Sequence, residues 1–314
     1  MPWWGWLLLG IFFLVLAPGF FFQMLLARSL YFRYLVRGKR ESWEREPKTD
    51  DPETIKIYEI GDKEFYQPNK HLTKEVSVTS CGFKLAGEFY DFGHKKTAII
   101  VAGRSEALTY SYYFAIPYQK LGFNILVIDN RGHGYSEGKI NAVGLKEWPD
   151  ILAWVKMLHD DFGQEEIISH GVCIGSATTL YALTSEDCPD YYKGMVTDGM
   201  YQNFPLSFIN HAYEAGYPKH FVYEFFFMWF KHYAKVNPFY GPIDCIDKLK
   251  VPILFIYSKE DRYSTPDKGQ ELYDKCNNPK EIAWFDKGRH SYVRINNQEG
   301  YDKAIEQFIN KYNL

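Results

Sequence analysis

A cysteine between two glycines is the part of this sequence best suited to covalent chemistry. The run Gly171–Gly175 reads Gly-Val-Cys-Ile-Gly, which is a nucleophile elbow with Cys173 in place of the usual serine. An apolar run, 166–168, precedes it and a helix-forming run, 177–182, follows it. A thiol on such a strand-to-helix turn lies at a helix N-terminus, where the helix dipole favours the thiolate. Cys173 is therefore the candidate nucleophile; the alternative is a cysteine that only packs.

A nucleophilic thiol needs a base to take its proton and a third group to orient that base. Asp261 follows the apolar run 252–257, and His290 comes shortly after the run 281–285. Because the carboxyl ends of parallel strands meet at one edge of a sheet, we expect both side chains near Cys173. The sequence therefore predicts a Cys-His-Asp triad in that chain order.

Other acids and histidines compete for these roles. Asp198 also ends a predicted strand and is the alternative acid, whereas Asp129 fits better as a structural residue of a glycine-rich loop. His133 and His170 lie in motifs, but both precede Cys173 in the chain. The expected order of nucleophile, acid and base favours His290.

The elements that would position these residues alternate along the chain. Short apolar runs have the length of buried strands, and the segments between them have helical character. Strands are predicted at 75–79, 84–92, 97–102, 124–129, 166–168, 194–198, 252–257 and 281–285. Helices are predicted at 112–121, 144–159, 177–182, 266–276 and 298–312. This alternation predicts an α/β fold with a mainly parallel sheet covered by helices on both faces.

Two further motifs carry a family resemblance. The run Asp129–Gly138 reads D-x-R-G-x-G-x-S-x-G, and the run Asp261–Pro266 reads D-x-x-x-x-P. With these motifs, the chain from about Glu75 onward resembles the α/β-hydrolases of the esterase, lipase and aminopeptidase-like type. The cysteine elbow is similar to that of the dienelactone hydrolases within this superfamily. The resemblance implies the α/β-hydrolase fold and acyl transfer through Cys173, His290 and Asp261.

The resemblance also implies an oxyanion hole. In the family, one backbone N–H comes from the loop after the third strand and the other from the residue after the nucleophile. These positions are Arg104 and Ile174 in this chain. The loop reads Ala102-Gly103-Arg104 where the family usually has His-Gly.

The first 27 residues predict a membrane anchor. No side chain from Met1 to Ala27 is charged, and about 20 apolar residues suffice to cross a bilayer as a helix. A cleaved signal peptide is the alternative, but it would carry its positive charges before the apolar run. Here the cations follow it, at Arg28, Arg33, Arg37, Lys39 and Arg40. We expect a single-pass protein of the cell membrane with its catalytic domain in the cytoplasm.

The rest of the chain divides into two predicted parts. Residues 28–74 are charged and punctuated by proline, which predicts a tether that leads into the domain. Residues 75–314 form the predicted hydrolase domain, with a cap insertion at about 200–249. Within the insertion, Phe221–Phe230 is apolar nearly all round as a helix. It is either a packed cap helix or a lid whose aromatic face lines an apolar substrate pocket.

The amino-acid composition argues against several classes of function. A formal charge of −3 over 314 residues gives no electrostatic basis for nucleic-acid binding. Five widely spaced cysteines without C-x-x-C argue against zinc and disulfides, and we expect neither a metal nor a cofactor. The prediction is a hydrolase of an ester, thioester or lactone with an apolar acyl group, acting through a thioacyl-enzyme. The alternatives are an inert binding or scaffold protein and an acyltransferase that uses the same triad.

Overall fold

The structure, a computed structural model, describes residues 2–38, 43–46, 48–218 and 222–314. Met1, Lys39, Arg40 and Phe221, named above, lie outside these ranges. The central feature of the fold is one eight-stranded sheet. The strands are β1 (Thr73–Ser80), β2 (Phe83–Tyr90), β3 (Lys96–Val101), β4 (Asn124–Ile128), β5 (Glu166–Val172), β6 (Tyr192–Asp198), β7 (Ile253–Ser258) and β8 (Lys280–Phe285).

The sheet order is β1-β2-β4-β3-β5-β6-β7-β8. β1 pairs with β2 and β2 with β4 in antiparallel fashion. All pairings from β4 through β3 to β8 are parallel. The predicted mainly parallel sheet is therefore confirmed. Its parallel strands bring the loops that follow β3, β5, β7 and β8 to one edge.

Helices cover both faces of the sheet. They are α1 (Trp3–Leu35), α2 (Pro52–Ile60), α3 (Leu108–Lys120), α4 (Trp148–Phe162), α5 (Ile174–Leu183), α6 (Phe204–Glu214), α7 (Tyr223–Ala234), α8 (Pro266–Lys275), α9 (Val293–Asn296) and α10 (Gln298–Tyr312). Buried residues of α3 and α10 pack in one hydrophobic cluster, and those of α4 and α5 pack in a second. The helices α6 and α7 lie between β6 and β7 in the chain.

The helix α4 shows how the sequence encodes these elements. Its buried residues Ile151, Trp154, Val155 and Leu158 recur at helical spacing and form one apolar face. The helix ends at Gly163, whose φ of 62° lies in the left-handed region that favours glycine.

The N-terminal helix α1 is the single helix of the described residues that is long and apolar enough to cross a membrane by length and composition. Its last turns pack on the domain, since Ala27, Tyr31 and Leu35 are buried. The Trp229 indole on α7 donates to the carbonyl of Met24, at 2.9 Å. The helix α1 therefore leads directly into the body of the protein.

Helical structure also fills much of the segment predicted as a tether. The helix α2 begins at Asp51, whose carboxylate accepts the Thr54 N–H at 2.9 Å, and Pro52 occupies its first position. It continues through the turns Gly61–Tyr66, Gln67–Asn69 and Lys70–Leu72 up to β1.

A buried ion-pair cluster fixes the stretch between α1 and α2. The Arg45 guanidinium donates to Asp129 at 2.8 Å and to Glu88 at 3.0 Å. The Asp129 side chain is fully buried, and that of Arg45 is 13% exposed. Burying these carboxylates without their cation is unfavourable.

We expect Arg45→Met to lower the free energy of unfolding by about 2–4 kcal/mol, because it leaves two buried carboxylates without a cation. The matched control is Arg262→Met, which removes an ion pair whose arginine side chain is 73% exposed and should cost less than about 1 kcal/mol. Urea unfolding in detergent, followed by circular dichroism, measures both. Equal losses would show that the cluster does not stabilise the fold.

Candidate active site

Cys173 occupies a sharp turn between β5 and α5. Its φ of 53° and ψ of −113° are strained for a residue with a side chain. Close backbone contacts surround the turn: a Cβ on Gly171 would lie 2.4 Å from the Ser176 nitrogen, and one on Gly175 would lie 2.1 Å from the Val101 carbonyl oxygen. Only glycine fits at these two positions. The turn therefore has the geometry of a nucleophile elbow.

His290 and Asp261 meet beside this turn. The two side chains are joined by a 2.7 Å hydrogen bond between His290 Nδ1 and Asp261 Oδ2. The other carboxylate oxygen of Asp261 accepts the backbone N–H groups of Tyr263 at 2.8 Å and Ser264 at 2.9 Å. These three contacts fix the carboxylate and hold the imidazole with Nδ1 protonated.

The second ring nitrogen of His290 faces the elbow. His290 Nε2 has no hydrogen-bond partner of regular geometry among the described residues. Burial would lower the pKa of His290, but Asp261 and Cys173 together raise this pKa well above its ordinary value. The structure thus brings Cys173, His290 and Asp261 together, with the histidine between the other two.

Asp198, the alternative acid, makes a different set of contacts. Its carboxylate accepts the Tyr301 hydroxyl at 2.8 Å, and Nδ1 of the triad histidine is bonded to Asp261 instead. Burial raises the pKa of Asp198 to about 7, although the Tyr301 hydrogen bond opposes the shift. One carboxylate oxygen of Asp198 has no hydrogen-bond partner among the described residues. Asp198 is therefore a poorly compensated buried acid near the site.

His170 lies beneath the site in a buried hydrogen-bond chain. Its ring nitrogens lie 2.9 Å from the Tyr118 hydroxyl and 3.1 Å from the Tyr301 hydroxyl. Burial lowers the pKa of His170 to about 3, so the ring is neutral near neutral pH. Because Tyr301 donates to Asp198, a consistent chain runs from Tyr118 through His170 and Tyr301 to Asp198. This histidine belongs to the core.

The loop after β3 lies against the elbow. A Cβ on Gly103 would be 3.7 Å from the Cys173 Cβ, and Arg104 and Ile174 line the same pocket as Cys173. The Asn130 side chain donates to the Ala102 carbonyl at 2.9 Å. The structure therefore places both predicted oxyanion residues around the thiol. Arg104 belongs to the loop after β3, which Asn130 of the β4 loop anchors, and Ile174 begins α5.

A pocket of about 230 Å³ opens above Cys173. One wall is largely apolar and comes from the elbow and the α6 region, with Ile174, Tyr201, Phe204 and Phe208. The rest of the lining is largely polar and includes residues that lie outside the sequence motifs. They are Thr54, Ser105, Glu106, Arg289, Ser291 and Tyr292.

Thr54 reaches the pocket because α2 docks on the loop that carries the histidine. Its hydroxyl lies 2.6 Å from the Tyr292 hydroxyl, and Glu53 accepts the Arg289 Nε–H at 2.9 Å. The Asp51-Pro52 cap signature could have indicated a helix here. Nothing in the local sequence indicates that this helix meets the site.

Comparisons with known proteins agree with this geometry. A family model described as alpha/beta hydrolase fold matches residues 99–231. The esterase Pf2001 of Pyrococcus furiosus superposes with a TM-score of 0.65 at 23% identity, over 77% of this chain and 93% of that one. This chain has the α/β-hydrolase fold. The matched family region includes the Cys173 elbow and ends before Asp261 and His290.

Two sequence relatives each match this chain at 25% identity. Uncharacterized protein YqkD of Bacillus subtilis is 25% identical over 311 residues, which cover 96% of this chain and 98% of YqkD. Human alpha/beta hydrolase domain-containing protein 17B is 25% identical over 204 residues, which cover 64% of this chain and 61% of that protein.

The raised pKa of Asp198 predicts a distinctive pH dependence of stability. Between about pH 4 and pH 7 the folded protein holds a proton at Asp198 that the unfolded chain releases, so the free energy of unfolding falls as pH rises. From pH 5 to pH 8, we expect the free energy of unfolding of wild type to fall by roughly 2–4 kcal/mol more than that of Asp198→Asn. Urea unfolding at the two pH values measures this change.

The matched control for this measurement is Asp160→Asn. Asp160 is exposed and its Lys156 partner lowers the pKa of its carboxyl, so its titration lies below the tested window. If the free energy of unfolding of Asp198→Asn changed with pH as it does in wild type, another group would be responsible for the pH dependence.

Proposed function

We propose that this protein hydrolyses an ester, thioester or lactone through a thioacyl-enzyme on Cys173. One observation carries the proposal: His290 is hydrogen-bonded to Asp261 through Nδ1, and its imidazole also interacts with the elbow cysteine. A base held in one tautomer beside a nucleophile is the arrangement that acyl transfer needs. The esterase and hydrolase names among the similar proteins support the same reaction class.

Acylation begins when Nε2 of His290 takes the Cys173 proton. The sulfur attacks the substrate carbonyl carbon, and the N–H groups of Arg104 and Ile174 stabilise the oxyanion that forms. The bond to the leaving oxygen or sulfur then breaks, and the Nε2 proton of His290 passes to the leaving group. The products of this half-reaction are a thioester on Cys173 and a free alcohol or thiol.

Deacylation uses the same histidine as a base. Neutral Nε2 takes a proton from water, the water oxygen attacks the thioester carbonyl, and the carbon–sulfur bond breaks. The products are a carboxylic acid and the Cys173 sulfur, to which His290 returns the proton. Acylation blocks Cys173, which helps to raise the His290 pKa, so the ring releases its proton more readily in the acyl-enzyme.

The pocket walls support a substrate with an apolar acyl group. Phe204 and Phe208 come from α6, and α7 packs behind them, with Phe208 and Phe226 stacked at 4.2 Å. The apolar wall would take the acyl chain, and the polar wall with Glu106 would face the leaving group. The aromatic helix of the cap therefore supports the site from behind the pocket wall.

The proposed location is a membrane, with α1 as a single anchor. Trp3, Trp4 and Trp6 are exposed at one end of this helix, and Arg28 and Arg33 follow its apolar stretch at the other end. Tryptophan suits a membrane interface, and cations favour the cytoplasmic side. We propose that the catalytic domain lies in the cytoplasm against the cell membrane.

We expect the wild-type protein to hydrolyse members of a panel of p-nitrophenyl and thiol esters, and Cys173→Ala to lose that activity. Cys173→Ser should lose most of it, because a hydroxyl is a much weaker acid than a thiol and His290 would have to deprotonate it. Asp261→Asn should lower kcat by about 10²–10⁴, since the amide no longer orients the imidazole correctly. Initial rates in detergent measure all three.

Asp198→Asn is the matched control for Asp261→Asn, because Asp198 makes no hydrogen bond with His290. Its kcat should stay much closer to that of wild type. Equal rates for wild type and Cys173→Ala would overturn the nucleophile assignment. Absence of wild-type turnover and of any acyl adduct across the panel would favour the inert binding protein.

The influence of Cys173 on His290 can be measured directly. Carboxamidomethylation of Cys173 removes its influence on the ring, so we expect the His290 pKa to fall while the hydrogen bond to Asp261 remains. Nuclear magnetic resonance of the imidazole gives the titration before and after alkylation, and His290→Gln assigns the signal. An unchanged titration would show that the thiolate and the imidazole do not interact.

A further inference from the structure

The end of the N-terminal helix reaches the active site. Arg104, the proposed oxyanion residue, donates from Nη1 to the carbonyl oxygen of Tyr34, at 3.0 Å. Its guanidinium also lies over the Tyr34 ring, 5.5 Å from the ring centroid. Tyr34 belongs to the penultimate position of α1, where the carbonyl groups lack partners within the helix. An arginine is a favourable partner for such a helix end.

The helix end is itself held rigidly by the domain. The Leu35 carbonyl accepts the Asn141 N–H at 2.8 Å, and Val36 forms a β-bridge with Ile140. The Arg37 side chain donates to the Gly134 carbonyl at 2.7 Å. The contacts of residues 35–37 with the domain therefore hold the Tyr34 carbonyl in place.

The backbone of Arg104 is clamped from a second side. Its carbonyl oxygen accepts a hydrogen bond from Nε2 of His133, whose pKa burial lowers although the ring contacts with the Arg104 and Arg131 carbonyls oppose the shift. Trp43 stacks on His133 with centroids 4.4 Å apart and planes 6° apart, and the Trp43 carbonyl accepts the Gly134 N–H at 2.8 Å. Both supports of this loop thus involve residues that precede β1.

Tyr34 also contacts the apolar wall of the pocket. Its ring meets Phe208 of α6 edge-on, with centroids 5.7 Å apart. One residue at the end of α1 therefore touches both the loop that carries the oxyanion amide and the aromatic wall proposed for the acyl group. A shift of this helix end would move both.

We propose that Arg104 is a positioning residue that fastens the oxyanion loop to the end of α1. The N-terminal helix then helps to position the active site in addition to its proposed role as an anchor. This inference rests on the proposed function and deepens it. The side chain of Arg104 fixes the loop through Tyr34, and the backbone N–H of the same residue stabilises the oxyanion. Placing that N–H correctly matters because oxyanion donors act mainly in the transition state.

The test uses the full-length protein in detergent with a short, soluble ester. Arg104→Met keeps the aliphatic stem and removes the donors, so kcat should fall by about 10- to 100-fold with KM within roughly twofold of wild type. Arg104→Lys, which restores a cationic donor, should recover part of the loss. Lys156→Met is the control, since Lys156 is an exposed cation of α4 that pairs with Asp160, and its kcat should stay at the wild-type level.

Two further readouts separate loop position from general damage. A trifluoromethyl ketone forms an oxyanion when Cys173 adds to it, so its inhibition constant should rise in Arg104→Met by about the same factor as kcat falls. Alkylation of Cys173 by iodoacetamide forms no oxyanion, and its rate should stay within about twofold of wild type.

Wild-type kcat in Arg104→Met would overturn this inference, and so would an equal loss of turnover and of alkylation, which indicates a disturbed triad. A failure of the proposed function gives a different pattern. In that case wild type and Cys173→Ala turn over the ester equally, whatever the Arg104 variants do.

Discussion

The contact between Gly175 and the end of β3 sets the geometry of the whole site. A Cβ on Gly175 would lie 2.1 Å from the Val101 carbonyl oxygen and 2.8 Å from that of Ala102. The start of α5 can therefore approach β3 only because this residue has no side chain. The approach places the elbow thiol beside the loop that begins at Ala102 and carries Gly103 and Arg104. The Cys173 thiol and the loop after β3 are thus spaced by one backbone contact, and the strain at Cys173 accompanies it.

Around this contact the site is assembled from distant parts of the chain. The parallel sheet delivers Cys173, Asp261 and His290 from the ends of three strands, as the topology requires. The residues before β1 complete the enclosure from outside the sheet. Trp43 supports the oxyanion loop through His133, and α2 supports the His290 loop through Thr54. The N-terminal region is consequently part of the framework of the site.

The sheet and the arrangement of the triad candidates could be predicted because they depend on local signals. Apolar runs mark the strands, and the order of Cys173, Asp261 and His290 follows the order of strand ends. The start of α4 was not predicted correctly. The predicted helix begins at 144, but the observed one begins at Trp148. The Glu147 carboxylate binds the backbone N–H groups of Ala142 and Gly144, at 2.7 and 2.9 Å, and holds that stretch as a loop.

The tertiary roles of the N-terminal segment could not be predicted for a related reason. Charged and proline-containing stretches are typical of linkers, and the ion pairs of Arg45 with Asp129 and Glu88 join residues far apart in sequence. The contact of Arg104 with the Tyr34 carbonyl involves a backbone acceptor, which any residue at position 34 would present. Such contacts leave no pattern in the sequence of either partner.

The central claim is that Cys173 carries the acyl group during turnover. Rapid quenching of the full-length protein with an ester substrate, followed by peptide mass spectrometry, tests this claim most directly. The account predicts an acyl adduct on the Cys173 peptide that neutral hydroxylamine removes and that is absent in Cys173→Ala. Ester turnover with no adduct on Cys173, or with the adduct on another residue, would contradict it.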